Sequence, residues 1–264
     1  MTKTYNLTGV AATLLGFSLS LAGHAAQAAP GISVEASISK TAFTVIDLTP
    51  NDGYSAGYTL TPSSAILQSN IITPDVSLEK KLSLAAGVVE PIAATIAHGA
   101  STSTSTATQG GEIGGRIQVL DAGTKAYGYV LQSVNLQIAA HTQLVFTGYS
   151  TLSISNASQD SAHTFAGDAS TLLFFTSGGP LEGHSISRGF GDQDNSFVSA
   201  RPFSLTVDNN SDRVMSTVLM TQMFTHAVYR APSPVPEPAT YAMFSLGALM
   251  VGACARRQRR RAQA

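Results

Sequence analysis

Two short stretches of this 264-residue chain gather residue types that do chemistry. Gly183-His184-Ser185-Ile186-Ser187 approaches the G-x-S-x-G nucleophile elbow, in which flanking glycines let a strained strand-to-helix turn expose a serine. Ser187 stands where the second glycine belongs, and no helical pattern comes after it. A Ser/His/Asp triad using His163 or His226 therefore has residue types behind it but no spacing. Asp192-Gln193-Asp194-Asn195-Ser196 alternates oxygen donors of the kind calcium prefers, which makes Asp192 and Asp194 the first calcium candidates. The stretch lacks the glycine and terminal glutamate of an EF-hand loop, and a solvated acidic turn is the plainer reading. Asp47 and Asp52 miss that register too, and Pro50-Asn51-Asp52-Gly53 reads as a turn. Histidines 98, 141, 163, 184 and 226 show no H-x-x-x-H or H-E-x-x-H spacing, so zinc is not indicated. Gly110-Gly111-Glu112-Ile113-Gly114-Gly115 has no Lys-Ser/Thr to act on phosphate and magnesium, and reads as a mobile turn. The expectation is a chain with no catalytic residue, no metal and no cofactor. A secreted hydrolase acting on polysaccharide or ester substrates is the alternative, although no carboxylate pair is singled out for it.

The elements that would carry these residues are strands. Ile32, Val34, Ala36 and Ile38 alternate with polar residues, and a period of two places them on one face. The same alternation runs through Val134-Asn135-Leu136-Gln137-Ile138, Leu152-Ser153-Ile154 and Phe203-Ser204-Leu205-Thr206-Val207, each a half-buried antiparallel strand. Leu172 to Phe175 is a short apolar run, and Val214 to Tyr229 is rich in β-branched and aromatic residues. Turn clusters at Pro50 to Gly53, Ser177 to Pro180 and Asp208 to Ser211 separate them. The fold class expected is mainly β, an antiparallel β-sandwich. Leu82 to His98 stays open, because Gly87 and Pro91 interrupt an alanine-rich helical spacing. Residues 100 to 111, ASTSTSTATQGG, read as a flexible low-complexity loop, with a β-hairpin edge and a polysaccharide contact as alternatives.

Both ends carry sorting information. Lys3 precedes an apolar stretch from Leu7 to Ala22, and Ala26 and Ala28 supply the A-x-A pattern of a signal peptidase site, so residues 1–28 are expected to be a signal peptide. Residues 239–255 contain no charge and reach the short limit for a spanning helix. Beyond them Arg256, Arg257, Arg259, Arg260 and Arg261 form a stop signal that stays cytoplasmic by the positive-inside tendency, within a tail of residues 256–264. Prolines 232, 234, 236 and 238 make residues 231–238 an extended, semi-rigid linker. Residues 29–230 remain as one exported domain. From residue 29 to 235, four lysines and five arginines face ten aspartates and five glutamates, a net charge of −6, although the whole chain sums to −1. An acidic, arginine-poor domain is not a nucleic-acid binder. The single cysteine, Cys254, falls in the apolar tail segment, where it reads as a small apolar filler, with lipidation as the alternative. The domain therefore relies on its core without a disulfide.

Val235-Pro236-Glu237-Pro238, one short apolar span and a terminal arginine cluster, in that order, resemble the PEP-CTERM sorting signal of Gram-negative bacteria. The resemblance spans residues 235–261. It implies an exosortase-like membrane enzyme as partner, with Val235, Pro236, Glu237 and Pro238 as recognition residues. It further implies a transient anchor in the inner membrane, release to the cell envelope or extracellular matrix, and an association with exopolysaccharide or biofilm. Val45 to Gly53 and His141 to Phe146 resemble segments of PEP-CTERM ectodomains, a likeness that brings no activity with it.

Overall fold

A computed structural model describes residues 31–84, 91–108, 110–156, 164–176, 183–191 and 196–230. Strands make up 79% of the described residues, and no helix occurs among them. Twelve strands succeed one another along the chain: β1 (Ile32–Asp47), β2 (Tyr58–Ile72), β3 (Ser77–Leu84), β4 (Ile92–His98), β5 (Ser101–Ala107), β6 (Ile113–Val119), β7 (Lys125–Ile138), β8 (Thr142–Asn156), β9 (Thr164–Phe175), β10 (Gly183–Phe190), β11 (Ser196–Asn209) and β12 (Met215–Arg230). They form two six-stranded antiparallel sheets, ordered β11-β8-β1-β6-β5-β4 and β10-β9-β12-β7-β2-β3. The sheets stack face to face, so that β1 lies over β12, β6 over β12 and β7, β5 over β7 and β2, and β8 over β9. This is the sandwich expected from the alternating strands.

Alternation decides which residues enter the core. Ile32, Val34, Ala36 and Ile38 are buried, as are Val134, Leu136, Ile138, Leu152, Ile154, Phe203, Leu205 and Val207. In β1 the register shifts between Ser39 and Ala42, where Lys40 adopts a φ of 52°. That bulge moves the inward positions from even to odd numbers, which brings Phe43 to 4.7 Å from the buried ring of Phe146. The turn expected at residues 50–53 forms with φ of 85° at both Asn51 and Gly53. The turn at residues 208–211 is held by Asn209, whose amide donates to the carbonyls of Ile138 (3.0 Å), Ala139 (2.8 Å) and Arg213 (2.7 Å).

Two expectations are corrected. Residues 101–107 are not a flexible loop but β5, paired with β4 on one side and β6 on the other. Their inward side chains are serines, and Ser101, Ser103 and Ser105 are fully buried. Ser103 donates to the carbonyl of Tyr127 at 2.8 Å and Ser105 to that of Gln68 at 2.9 Å, both in the opposite sheet. Ser69 returns a bond of 2.8 Å to the carbonyl of Ala94. A serine this close to facing backbone satisfies its hydroxyl and lets the sheets approach. The glycine-rich stretch is likewise shorter as a turn than expected. Among the described residues it turns at 110–112, and the amide of Thr108 donates to the carbonyl of Glu112 at 2.9 Å. Gly114 and Gly115 belong to β6, and a Cβ on Gly115 would lie 2.3 Å from the Met223 methyl group. The open stretch from Leu82 to His98 resolves into the end of β3 and all of β4, with residues 85–90 outside the described set.

Burial and hydroxyl bridging should separate in mutants. Phe146→Ala is expected to cost about 3–5 kcal/mol, the range for a large aromatic truncated in a packed core. Ser105→Ala is expected to cost about 1 kcal/mol, the net value of a hydrogen bond whose backbone acceptor keeps its ladder partner. Urea-unfolding midpoints of the two variants against the parent domain measure this. Equal losses would mean that the serine strip carries as much stability as the aromatic core.

Candidate functional site

Most residues singled out from the sequence lie outside the described set: Ala26 and Ala28, Asp192 and Asp194, Val235, Pro236, Glu237 and Pro238, and the five arginines from Arg256 to Arg261. So does the apolar segment 239–255. Among the described residues, no helix is long and apolar enough to cross a membrane.

The serine stretch is a strand rather than an elbow. Gly183–Phe190 pairs continuously with β9 at the rim of its sheet, so Ser185 is not on a strand-to-helix turn. His184 and Ser185 are neighbours on a strand and point to opposite faces. The ring of His184 packs 5.5 Å from that of Phe203, and its Nε2 is buried without a hydrogen-bond partner among the described residues. Burial and then the charge of Arg201 push its pKa below the ordinary 6.5. His226 is two strands away from β10 and four residues beyond Gln222, the residue in line with Ser185, so roughly 16 Å separates them at ordinary strand spacing. His163 lies outside the described residues.

The aspartates around the first turn are occupied by it. Asp47 accepts the amide of Thr49 at 3.0 Å, and Asp52 accepts the hydroxyl of Thr49 and the amide of Tyr54, the latter at 2.8 Å. The bond from the Thr49 hydroxyl, and after it that from the Tyr54 amide, holds the Asp52 carboxyl below its usual range. His141 Nε2 lies 2.7 Å from Asp212 and 3.9 Å from Asp52. No group of three His, Cys, Asp or Glu side chains among the described residues is arranged to hold a metal ion.

The two outer faces differ in chemistry. On the β1 sheet, hydroxyls and glycine line a shallow depression of about 300 Å³ bordered by Ser37, Thr104, Thr106 and Gly114, with Glu35 paired across from Arg116. On the β12 sheet, aromatic and amide side chains line an open cleft of about 430 Å³: Gln68 and Asn70 from β2, Tyr127 and Tyr129 from β7, and Phe224 from β12. Strand register builds this cleft. Asp168, His226, Tyr127, Asn70 and Glu79 stand in line across five strands, and Phe224, Tyr129 and Gln68 form the next row. Asp168 fixes His226 at 3.0 Å through Nδ1, and the His226 ring stacks on Tyr127 at 4.6 Å and 10°. Gln68 donates to Glu79 at 3.1 Å, which orients its amide. Asn70 Oδ1 and His226 Nε2, on either side of Tyr127, have no hydrogen-bond partner among the described residues. Sequence reasoning missed this cleft. The only local trace is the Tyr-Gly-Tyr alternation at residues 127–129, which puts two rings on one face.

Compared with known families, residues 234–260 match the model of the PEP-CTERM protein-sorting motif. The match takes in Val235, Pro236, Glu237, Pro238 and four of the five arginines, and ends one residue before Arg261. No curated protein matches the chain. The motif supports sorting by an exosortase-type system, with export, a membrane-anchored precursor, and processing for the cell envelope or extracellular space.

His184 gives the domain a pH-dependent term with a defined sign. A histidine whose folded pKa is depressed binds fewer protons folded than unfolded, so stability rises with pH across that interval. The contribution is complete above the unfolded value near 6.5 and is lost as pH falls toward the lower folded value. Urea midpoints from pH 7.5 to 5 should therefore decline for the parent, and decline less steeply for His184→Phe. Parallel slopes would show that His184 titrates alike in both states.

Proposed function

We propose that this chain is a non-enzymatic protein of the cell envelope or extracellular matrix of a Gram-negative bacterium, associated with exopolysaccharide or biofilm. An exosortase-like enzyme in the inner membrane recognises Val235, Pro236, Glu237 and Pro238 and removes the tail beyond them. The single observation behind this reading is the match of residues 234–260 to the sorting motif. The exported unit is residues 29–230. Each proline lacks a backbone donor and clashes with a preceding helical turn, so the recognition segment stays extended for an enzyme cleft. Glu237 is its charged contact, and Arg256, Arg257, Arg259, Arg260 and Arg261 retain the distal end at the cytoplasmic face. Cleavage after Ala28 removes the signal peptide at the other end.

The fold supports a short reach between domain and motif. Described structure ends at Arg230, the last residue of β12, and four residues separate it from Val235. β12 is hydrogen-bonded on both sides, to β9 and β7, so an enzyme cannot draw it out without dismantling the sheet. Recognition is thereby confined to the proline-rich segment.

Intact mass of the protein from its native host, beside a Glu237→Ala variant, tests the proposal. The native product is expected to begin near Ala29 and end near Pro238, while the variant keeps its arginine tail. A native protein that retains residues 256–264 would make the tail a permanent anchor and overturn processing.

A further inference from the structure

We infer that the cleft on the outer face of the β12 sheet is a binding site for an uncharged polysaccharide, with the rings of Tyr127 and Tyr129 as its stacking platform. This deepens the exopolysaccharide reading above and rests on it for the source of the ligand.

Two features of the cleft converge on sugar. A pyranose ring presents an apolar face of C–H groups and an edge of hydroxyls. It therefore fits a site that joins aromatic surface to fixed donors and acceptors. Tyr127, Tyr129 and Phe224 supply the first, and Gln68 and Asn70 the second, within one cavity of about 430 Å³. That volume falls within the roughly 300–1,000 Å³ of small-molecule sites. The platform is also pre-organised. Asp168 holds His226, His226 stacks on Tyr127, and Glu79 holds the Gln68 amide, so binding orders few side chains anew.

Charge selects among glycans. No lysine or arginine among the described residues lines the cavity, and the row through Tyr127 carries a carboxylate on each side, Asp168 and Glu79. A uronate or sulfate chain laid along that row would meet two like charges within the row, while Lys125 and Lys81 stand one row to either side. An uncharged polymer meets neither cost. The row crosses five strands, about 19 Å at ordinary strand spacing, which is longer than a single sugar ring and suits a chain. Among the described residues the depression on the other sheet has no aromatic lining and brings Glu35 and Arg116 to its rim, so it lacks the stacking surface.

The chain contains no tryptophan, so tyrosine emission is unobscured and can report on the platform. The full chain in detergent is titrated with cellohexaose, laminarihexaose, maltohexaose and mannohexaose, and with hexagalacturonate as the anionic probe, monitored by tyrosine fluorescence and calorimetry. Saturable binding of at least one neutral hexasaccharide is expected, with hexagalacturonate at least tenfold weaker. Tyr127→Ala and Tyr129→Ala should each weaken binding tenfold or more, whereas Tyr129→Phe, which keeps the ring, should lose less than threefold. Circular dichroism and urea midpoints verify that the variants fold, and Gln68→Ala gives a second test at a residue outside the core, with a loss of threefold or more expected. The inference is overturned if none of the four neutral probes binds, if the anionic probe binds as tightly, or if the alanine variants bind unchanged. Tail processing is read separately by mass. A protein that binds but keeps its tail sinks the sorting reading alone, and one that is processed but binds no glycan sinks this one.

Discussion

Everything in this fold depends on the close approach of two sheets without a disulfide to hold them. The approach is made by hydroxyl groups as well as by apolar packing. Ser103 and Ser105 reach from one sheet to backbone carbonyls of the other, Ser69 reaches back, and Ser150 and Thr171 bond to each other across the gap. A hydroxyl facing an apolar layer costs free energy unless it finds a partner. Here the partner is the facing backbone, and the small size of serine is what brings it within reach. Gly128 shows how tight the fit is, since a Cβ there would stand 2.5 Å from the Thr225 hydroxyl and 3.3 Å from that of Ser105. Where the facing residues are larger, as around Phe43, Phe146 and Phe203, the gap is filled by rings at 4.7 and 5.4 Å. The core is therefore mixed, with rings gathered on β1, β8 and β11 and hydroxyl bridges running from β5 to β2 and β7 and from β8 to β9.

Two covered inner faces leave two outer faces, and strand alternation forces each outer position to be something other than core. The serines of β5 that hold the sheets together require threonines 102, 104 and 106 on the opposite side, which gives the β1 sheet its hydroxyl surface. On the β12 sheet the same rule sets Tyr127 and Tyr129 outward between the buried Ala126, Gly128 and Val130. Rings in a solvated position that also bracket two amides need a reason other than packing. The register that aligns β12, β7 and β2 supplies a continuous floor for them, so the cleft is a product of the same pairing that closes the core.

The legibility of this molecule depends on the range of the interactions involved. Ile32, Val34, Ala36 and Ile38 could be placed because alternation is local and hydropathy contrast is strong. β5 could not, because serine and threonine differ little in hydropathy, and the bonds that make Ser103 and Ser105 internal go to Tyr127 and Gln68, more than twenty residues away in either direction. The cleft was illegible for the same reason, since Asn70, Tyr127 and His226 meet only once strand order is known. The sorting motif was legible because it is linear. An enzyme that reads an extended peptide reads composition and order, which are what a sequence displays.

The two ends of the sandwich domain join these levels. Gly31 stands at the start of β1, where a Cβ would collide with Leu120, and Tyr229 near the end of β12 exchanges backbone hydrogen bonds with Gly123 and Thr124 at 2.8 and 3.0 Å. Both contacts fall on the connection between β6 and β7, so the chain enters and leaves the sandwich at one end. Tyr229 is buried and stacks on Phe165 at 4.5 Å, which seals that end and fixes the last residues of β12 in register. Removal of either terminal segment beyond these residues leaves the contacts described within the sandwich in place, whereas a cut before Tyr229 would open the core. Phe224 and His226 lie on the same strand a few residues earlier. One strand thus carries inward packing through Leu219, Met223 and Ala227, outward chemistry through Phe224 and His226, and the point from which the sorting tail departs. That arrangement lets the tail be discarded without disturbing the outer face of the β12 sheet.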